Sequence, residues 1–295
     1  MQLGIFTVDD ERDGRIGRIE GETIVDVTDS VDTFATALQR MTDGEPIAVP
    51  DDATTYSIAD VQLRPPTTVE NEAFAIALNY ASHIEEKSGT ETVERQQRAV
   101  PETPYFFHKL SRSLIGHEAP INYYSDVTQG LDYAAELAAV IGTPARRVAR
   151  EEALEYVAGY TILNDTAAYD VQNVSMGSTS WIDWYSAKSM DDTTPVGPWV
   201  VAADEVGDPH DLSIRSTVNG ELMQDGSTAA MIRGVDEQVA FLSTRTTLRP
   251  GDLIATGTPA GVGTFQDLSL SDGDRIEIEI ENVGRLENTV LDVDA

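Results

Sequence analysis

The chain has 295 residues, 51 acidic and 20 basic side chains, no cysteine and a hydrophobic share of 41%. That length suits one large domain, or a large domain carrying a small one, with enough apolar residues for a true core. A formal net charge of -31 excludes nucleic acid and anionic membrane surfaces as partners, and the lack of cysteine excludes disulfides and thiol chemistry.

The acids are scattered over the whole chain rather than gathered in a tail. Self-repulsion on that scale destabilises a compact state unless salt screens it, and at molar salt the Debye length falls to about 3 Å. The charge therefore reads as the solvated surface of a halophilic protein. Lysine is nearly eliminated: only Lys87, Lys109 and Lys188 occur. Met1-Gln2-Leu3 opens no basic region followed by an apolar run, and no stretch approaches the roughly 18 apolar residues of a membrane span. A cytoplasmic location is expected.

Residues 3–9 and 15–27 alternate apolar and polar about the turn Asp13-Gly14 and predict a β-hairpin. Ser30 is placed to cap a short amphipathic helix bearing Val31, Phe34, Ala35 and Leu38. Residues 43–70, rich in Pro, Asp and Thr, read as a connector, which sets a small N-terminal domain at 1–66 and the main domain at 67–295. Ala73 to Leu78 and Glu136 to Ile141 are apolar strands. Glu151 to Val157 reads as a helix that Gly159 ends, and Tyr160 to Leu163 as a strand. Late segments Leu253 to Thr256, Arg275 to Ile280 and Gly284 to Val293 are β-rich, so the fold class is α+β with more strand than helix.

Four constellations carry chemistry. His83 and Glu86, three apart, share one face of a helical turn. A carboxylate beside an imidazole orients a general base, although a histidine at a strand end is more often a structural hydrogen-bonder. On a strand over 132–140, residues 132, 134 and 136 point one way. Glu136 with Asp165 then offers hard oxygen ligands for Mg²⁺ or Mn²⁺, unless both are surface decoration in an acid-rich chain. Lys188 lies in Trp184-Tyr185-Ser186-Ala187-Lys188-Ser189 and is suited to an enolate or oxyanion, or else to snorkelling at the surface. Gly257 to Gly263 is glycine-rich enough to form an amide nest for a carboxylate, or a plain tight turn.

The order and spacing of these motifs resemble the fumarylacetoacetate hydrolase family. The resemblance runs through Asn79-Tyr80, His83 and Glu86, then Phe106-Phe107-His108-Lys109-Leu110. It continues through Glu136-Leu137, Asn164-Asp165, Asp170 and Gln172, Lys188-Ser189, Val218-Asn219-Gly220-Glu221 and Gly257 to Gly263. It implies a rolled mixed β-sheet, a homodimer, and a divalent metal that chelates a small oxo-acid substrate. On that pattern His83 and Glu86 activate water. The metal on Glu136 and Asp165, with Lys188, stabilises an enolate as a carbon–carbon bond breaks. Gln172, Thr258 and Tyr80 contact the substrate, and residues 87–101 form a lid.

Two departures stand out. Ala134 occupies the position of a first glutamate ligand, which weakens the expected metal affinity. Tyr169 stands where family members carry an arginine. The leading expectation is a hydrolase of acylpyruvate-like or 1,3-dioxo acids. The alternatives are a 2-oxo-3-deoxy sugar acid dehydratase, a decarboxylase or isomerase on the same scaffold, and a non-catalytic binding protein with a degraded metal site.

Overall fold

The alternating N-terminal residues form antiparallel strands Gln2–Thr7, Arg15–Glu20 and Thr23–Asp26. The structure, a computed structural model, describes residues 1–9, 11, 13–88, 102–177 and 179–293. The connector is more ordered than its composition suggests. Thr55–Ser57 and Gln62–Arg64 pair with Thr23–Asp26 and Gln2–Thr7. The helix runs over Phe34–Thr42, and Thr33 caps it in place of Ser30, its hydroxyl accepting from the Thr36 amide at 3.1 Å. Ser30 instead closes a 3-10 turn, after which Val31 is extended (φ -142°, ψ 139°), so no helix can run through it. Phe34, Ala37, Leu38 and Met41 are buried.

These strands do not stand apart from the rest of the chain. Gln2–Thr7 pairs with Thr194–Ala202, which pairs in turn with Val157–Asn164 and then Ala135–Ile141. The sheet continues through Leu253–Ala255, Ala73–Ala77 and Tyr105–Lys109, with one parallel step between Leu253–Ala255 and Ala73–Ala77. This is the mixed, β-rich α+β architecture expected from sequence. Ala135–Ile141 and Val157–Asn164 are buried along their whole length because both faces are covered. Leu137, Ala139 and Ile141 pack in one cluster with Ile214, Ile276 and Leu286 of a second sheet, while Ala138 and Val140 pack with Phe34 and Leu38. The period of two sends alternate side chains to opposite layers.

Two local expectations are corrected. The segment read as a helix at Glu151 to Val157 is a 3-10 turn, Arg150–Tyr156, and Gly159 lies inside the following strand. A Cβ on Gly159 would fall on the Val201 carbonyl, so the glycine serves close strand approach rather than termination. The single strand expected over 132–140 is broken. Leu131–Asp132 pairs with Ala167–Ala168, and the main strand resumes at Ala135. The Ala134 amide donates to Asn164 Oδ1 at 2.9 Å, and its carbonyl accepts from the Asp165 amide at 2.9 Å. No helix among the described residues is long and apolar enough to cross a membrane.

Candidate active site

Strand ends converge on one cleft. The chain leaves Ala73–Ala77, passes Leu78 at φ 59°, and enters the helix Ala81–Ser88. Asn79 anchors that turn: its amide donates to the Thr256 carbonyl at 2.7 Å and to the Arg233 carbonyl at 3.0 Å. His83, Asp132, Ala134, Glu136, Asp165, Gln172, Lys188 and Thr258 all line the cleft, which encloses about 700 Å³ including its open mouth. Among the sequence candidates, Glu86 and Tyr80 do not reach its wall. Of the expected lid, residues 89–101 lie outside the described residues, and 87–88 close the helix.

Glu86 stands behind His83, with Oε2 3.5 Å from Nδ1. Its carboxylate is fixed from the other side by the Gly261 amide, at 3.0 and 3.1 Å to the two oxygens. That orientation leaves Nε2 of His83 as the nitrogen available to the cleft. The imidazole also meets Phe265 edge-on, with ring centroids 5.8 Å apart.

Deeper in the cleft two carboxylates and two ammonium groups share a buried cluster. Lys188 Nζ donates to Asp165 Oδ2 at 2.6 Å and to the Asp165 carbonyl at 3.1 Å. Lys109 Nζ lies 3.1 Å from Asp165 Oδ1 and donates to the Thr166 carbonyl at 2.9 Å. Burial alone would raise the Asp165 pKa, but Lys188 and Lys109 outweigh it and hold the carboxyl below its usual value. Burial pulls Lys109 down to about 8, against the attraction of Asp165. Glu136 is pushed well above the usual carboxylate range by burial and then by Asp165, with the Gly257 amide and both lysines opposing.

The glycine-rich loop is an amide donor, as its composition suggests, but among the described contacts its acceptors are side chains of the protein. Gly257 N–H donates to Glu136 Oε2 at 2.8 Å, Gly261 N–H to Glu86, and Gly263 N–H to Asp132 Oδ1 at 2.8 Å. The Thr264 amide takes the other Asp132 oxygen at 2.9 Å. Thr258 Oγ1 accepts from Gln224 Nε2 at 2.8 Å, which fixes it at the wall. Tyr80 is fully buried, and its phenol has no hydrogen-bond partner among the described residues. Burial, with Glu136 nearby, raises its pKa.

Among the described residues no group of three His, Cys, Asp or Glu side chains is disposed to hold a metal ion. Glu136 and Asp165 nevertheless form a donor pair. Among the described residues Asp165 Oδ1 accepts no hydrogen bond, although Lys109 Nζ lies 3.1 Å away. Two buried carboxylates that repel each other fit a hard divalent cation held by few protein ligands. Sequence reading missed Lys109 as a member of this cluster. The signal was its rarity, since it is one of three lysines.

The family model described as fumarylacetoacetate (FAA) hydrolase C-terminal matches residues 72–291. An oxaloacetate tautomerase of Bacillus subtilis is 37% identical over 238 residues, 80% of this chain and 75% of its own. A 4-hydroxyphenylacetate degradation bifunctional isomerase/decarboxylase of Salmonella dublin is 39% identical over 227 residues, 77% of this chain and 48% of its own. The structure of a maleylpyruvate hydrolase from Sphingobium sp. SYK-6, in complex with manganese(II) and pyruvate, superposes with a TM-score of 0.76 at 28% identity, covering 99% of both chains.

Proposed function

The chain belongs to the fumarylacetoacetate hydrolase family, and on that footing we propose that its cleft hydrolyses a carbon–carbon bond in a small acylpyruvate-like or 1,3-dioxo acid. The observation that carries this reading is the His83–Glu86 pair, set in the same cleft as the Lys188–Asp165 cluster. His83 Nε2 takes a proton from water, and Glu86 stabilises the imidazolium that results. The hydroxide adds to the distal carbonyl. The bond to the adjacent carbon then breaks, and its electron pair leaves as the enolate of the 2-oxo acid, which is reprotonated. One carboxylic acid and one 2-oxo acid are released. Lys188 uses two of its three donors on Asp165, leaving one for the enolate oxygen.

Glu136 and Asp165 would hold Mg²⁺ or Mn²⁺, with Ala134 leaving an adjacent position to water or substrate. A cation there would supply Lewis-acid polarisation of the oxo group. Gln172 and Thr258 orient the substrate, and a homodimer is part of the same reading.

The test is turnover of acetylpyruvate with Mn²⁺ in molar KCl, followed by the release of acetate and pyruvate. His83→Gln should lower kcat by about 100-fold or more, the usual weight of a general base. A second reading is proton transfer alone, as in a tautomerase or isomerase, and the relatives from Bacillus and Salmonella favour it. Enolisation of a 2-oxo acid without any cleavage product would replace the first reading with the second.

A further inference from the structure

The cleft walls are aromatic as well as charged. Tyr105, Phe107, Tyr133, Tyr169 and Trp184 all line it. Three of them form a continuous surface that starts at the Lys188 ammonium. Lys188 Nζ lies 5.5 Å from the Phe107 ring centre. Phe107 stacks on Trp184 with centroids 4.5 Å apart and planes 6° from parallel. Trp184 meets Tyr105 edge-on at 5.8 Å, and its Nε1 donates to the Tyr105 hydroxyl at 2.8 Å. Tyr105 is 40% exposed, so this surface leads from the buried lysine outward to the mouth. A second aromatic edge runs from Tyr169 to Phe265 at 6.1 Å and on to His83.

The charges are distributed unevenly against that wall. Among the described lining residues, Asp132, Glu136 and Asp165 are carboxylates, and Lys188 is the lone lysine or arginine. Lys188 already serves Asp165. It can receive one carboxylate or enolate at the head of a ligand. Among the described residues, a second carboxylate farther along would meet aromatic faces, whose quadrupoles present negative charge, and Asp132, which is itself held by the amides of Tyr133, Gly263 and Thr264. A flat apolar group there would stack on the wall instead.

Building on the proposed 2-oxo acid head group, we infer that the site selects a monocarboxylate whose distal part is apolar and planar, an aryl-substituted 2-oxo or 2,4-dioxo acid, over a dicarboxylate. Phe107 and Trp184 are the specificity-determining surface, and Tyr169 puts a phenol rather than a guanidinium on the opposite edge.

The test compares three ligands by calorimetric titration of the full chain with Mn²⁺ in molar KCl. Oxalate carries only the head group, phenylpyruvate adds an aromatic tail, and 2-oxoglutarate adds a second carboxylate. Phenylpyruvate should bind about tenfold more tightly than 2-oxoglutarate, the ratio that one or two good aromatic contacts supply. Tyr169→Arg should narrow or reverse that order. Oxalate binding with 2-oxoglutarate equal to or tighter than phenylpyruvate overturns the selectivity and leaves the head-group reading standing. No binding of oxalate overturns the head-group reading, and this inference falls with it. The wild-type comparison decides the matter even if the arginine variant does not fold.

Discussion

The backbone amide of Gly257 donates to the Glu136 carboxylate at 2.8 Å, joining residues 121 positions apart in the chain. Glycine is required there for two reasons. Gly257 has φ 89°, and a Cβ would press on the Asn79 side chain. The bond fixes one oxygen of a buried carboxylate that lines the cleft. Glu136→Gln preserves an acceptor for the Gly257 amide while removing the charge. The variant should melt at or above the wild-type temperature, because a buried carboxyl already pushed toward its neutral form loses little when made neutral. Its affinity for Mn²⁺ should fall at least as far as when an outer-shell partner is lost, about 10–100-fold. Thermal unfolding and calorimetry read the two effects separately. An unchanged Mn²⁺ affinity would remove Glu136 from the ligand set.

Lys109 and Lys188 flank Asp165 and make the cluster tolerable in the interior. Desolvating charges is unfavourable, and removing one partner of a buried pair costs about 3–5 kcal/mol. Lys109→Met should sit near the low end, about 3 kcal/mol, because Lys188 still faces the carboxylate. Thermal unfolding in molar KCl measures this loss. The double variant Lys109→Met with Asp165→Asn should be less destabilised than the sum of the two single variants, since each removes the partner of the other, while Lys188 keeps only Glu136 opposite it. A double variant less stable than the sum of its parts contradicts the pairing.

Ala134 lines the cleft beside Glu136 and Asp165. Ala134→Glu puts a third carboxylate into a region where two already repel. Without metal the variant should therefore be less stable than the wild type. With Mn²⁺ the sign should reverse, because a third oxygen ligand strengthens binding, and ligand binding to the folded state adds stability by mass action. Melting each protein with Mn²⁺ and with chelator gives four temperatures. The idea fails if the metal-dependent shift is no larger in the variant.

The parts of this site visible in the sequence were those carried by residue type and spacing. His83 and Glu86 share a helical turn, and Asp165 follows a buried strand that runs beside the one bearing Glu136. What stayed hidden depends on long-range placement. Asp132 read as sharing one strand face with Glu136, yet the strand breaks at Tyr133 and Ala134, and amides more than 130 residues away hold its carboxylate. Lys109 ends an ordinary strand, and nothing local names Asp165 as its partner. The aromatic wall joins Phe107 to Trp184, residues on separate elements with no shared periodicity. At the N-terminus the hairpin was legible, but its pairing with Thr194–Ala202 was not, because strand alternation carries no record of its neighbour.

The last prediction concerns the whole surface. With a formal net charge of -31 and surface pairs formed almost entirely by arginine, such as Arg285 with Glu277 and Glu287, the folded chain carries far more acid than its cations can answer. Exposed pairs contribute about 0–1 kcal/mol each, so they do not offset the repulsion. Screening does: the Debye length falls from about 10 Å at 0.1 M salt to about 3 Å at 1 M. Dilution from molar KCl to low ionic strength should lower the melting temperature progressively and erode the β-sheet circular dichroism. Restoring KCl should bring the signal back, whereas an equivalent osmolarity of sucrose should restore only part, because it strengthens burial without screening charge. A spectrum that stays native at low ionic strength would show that the acids are tolerated without salt, and the reading of this surface as halophilic would fall.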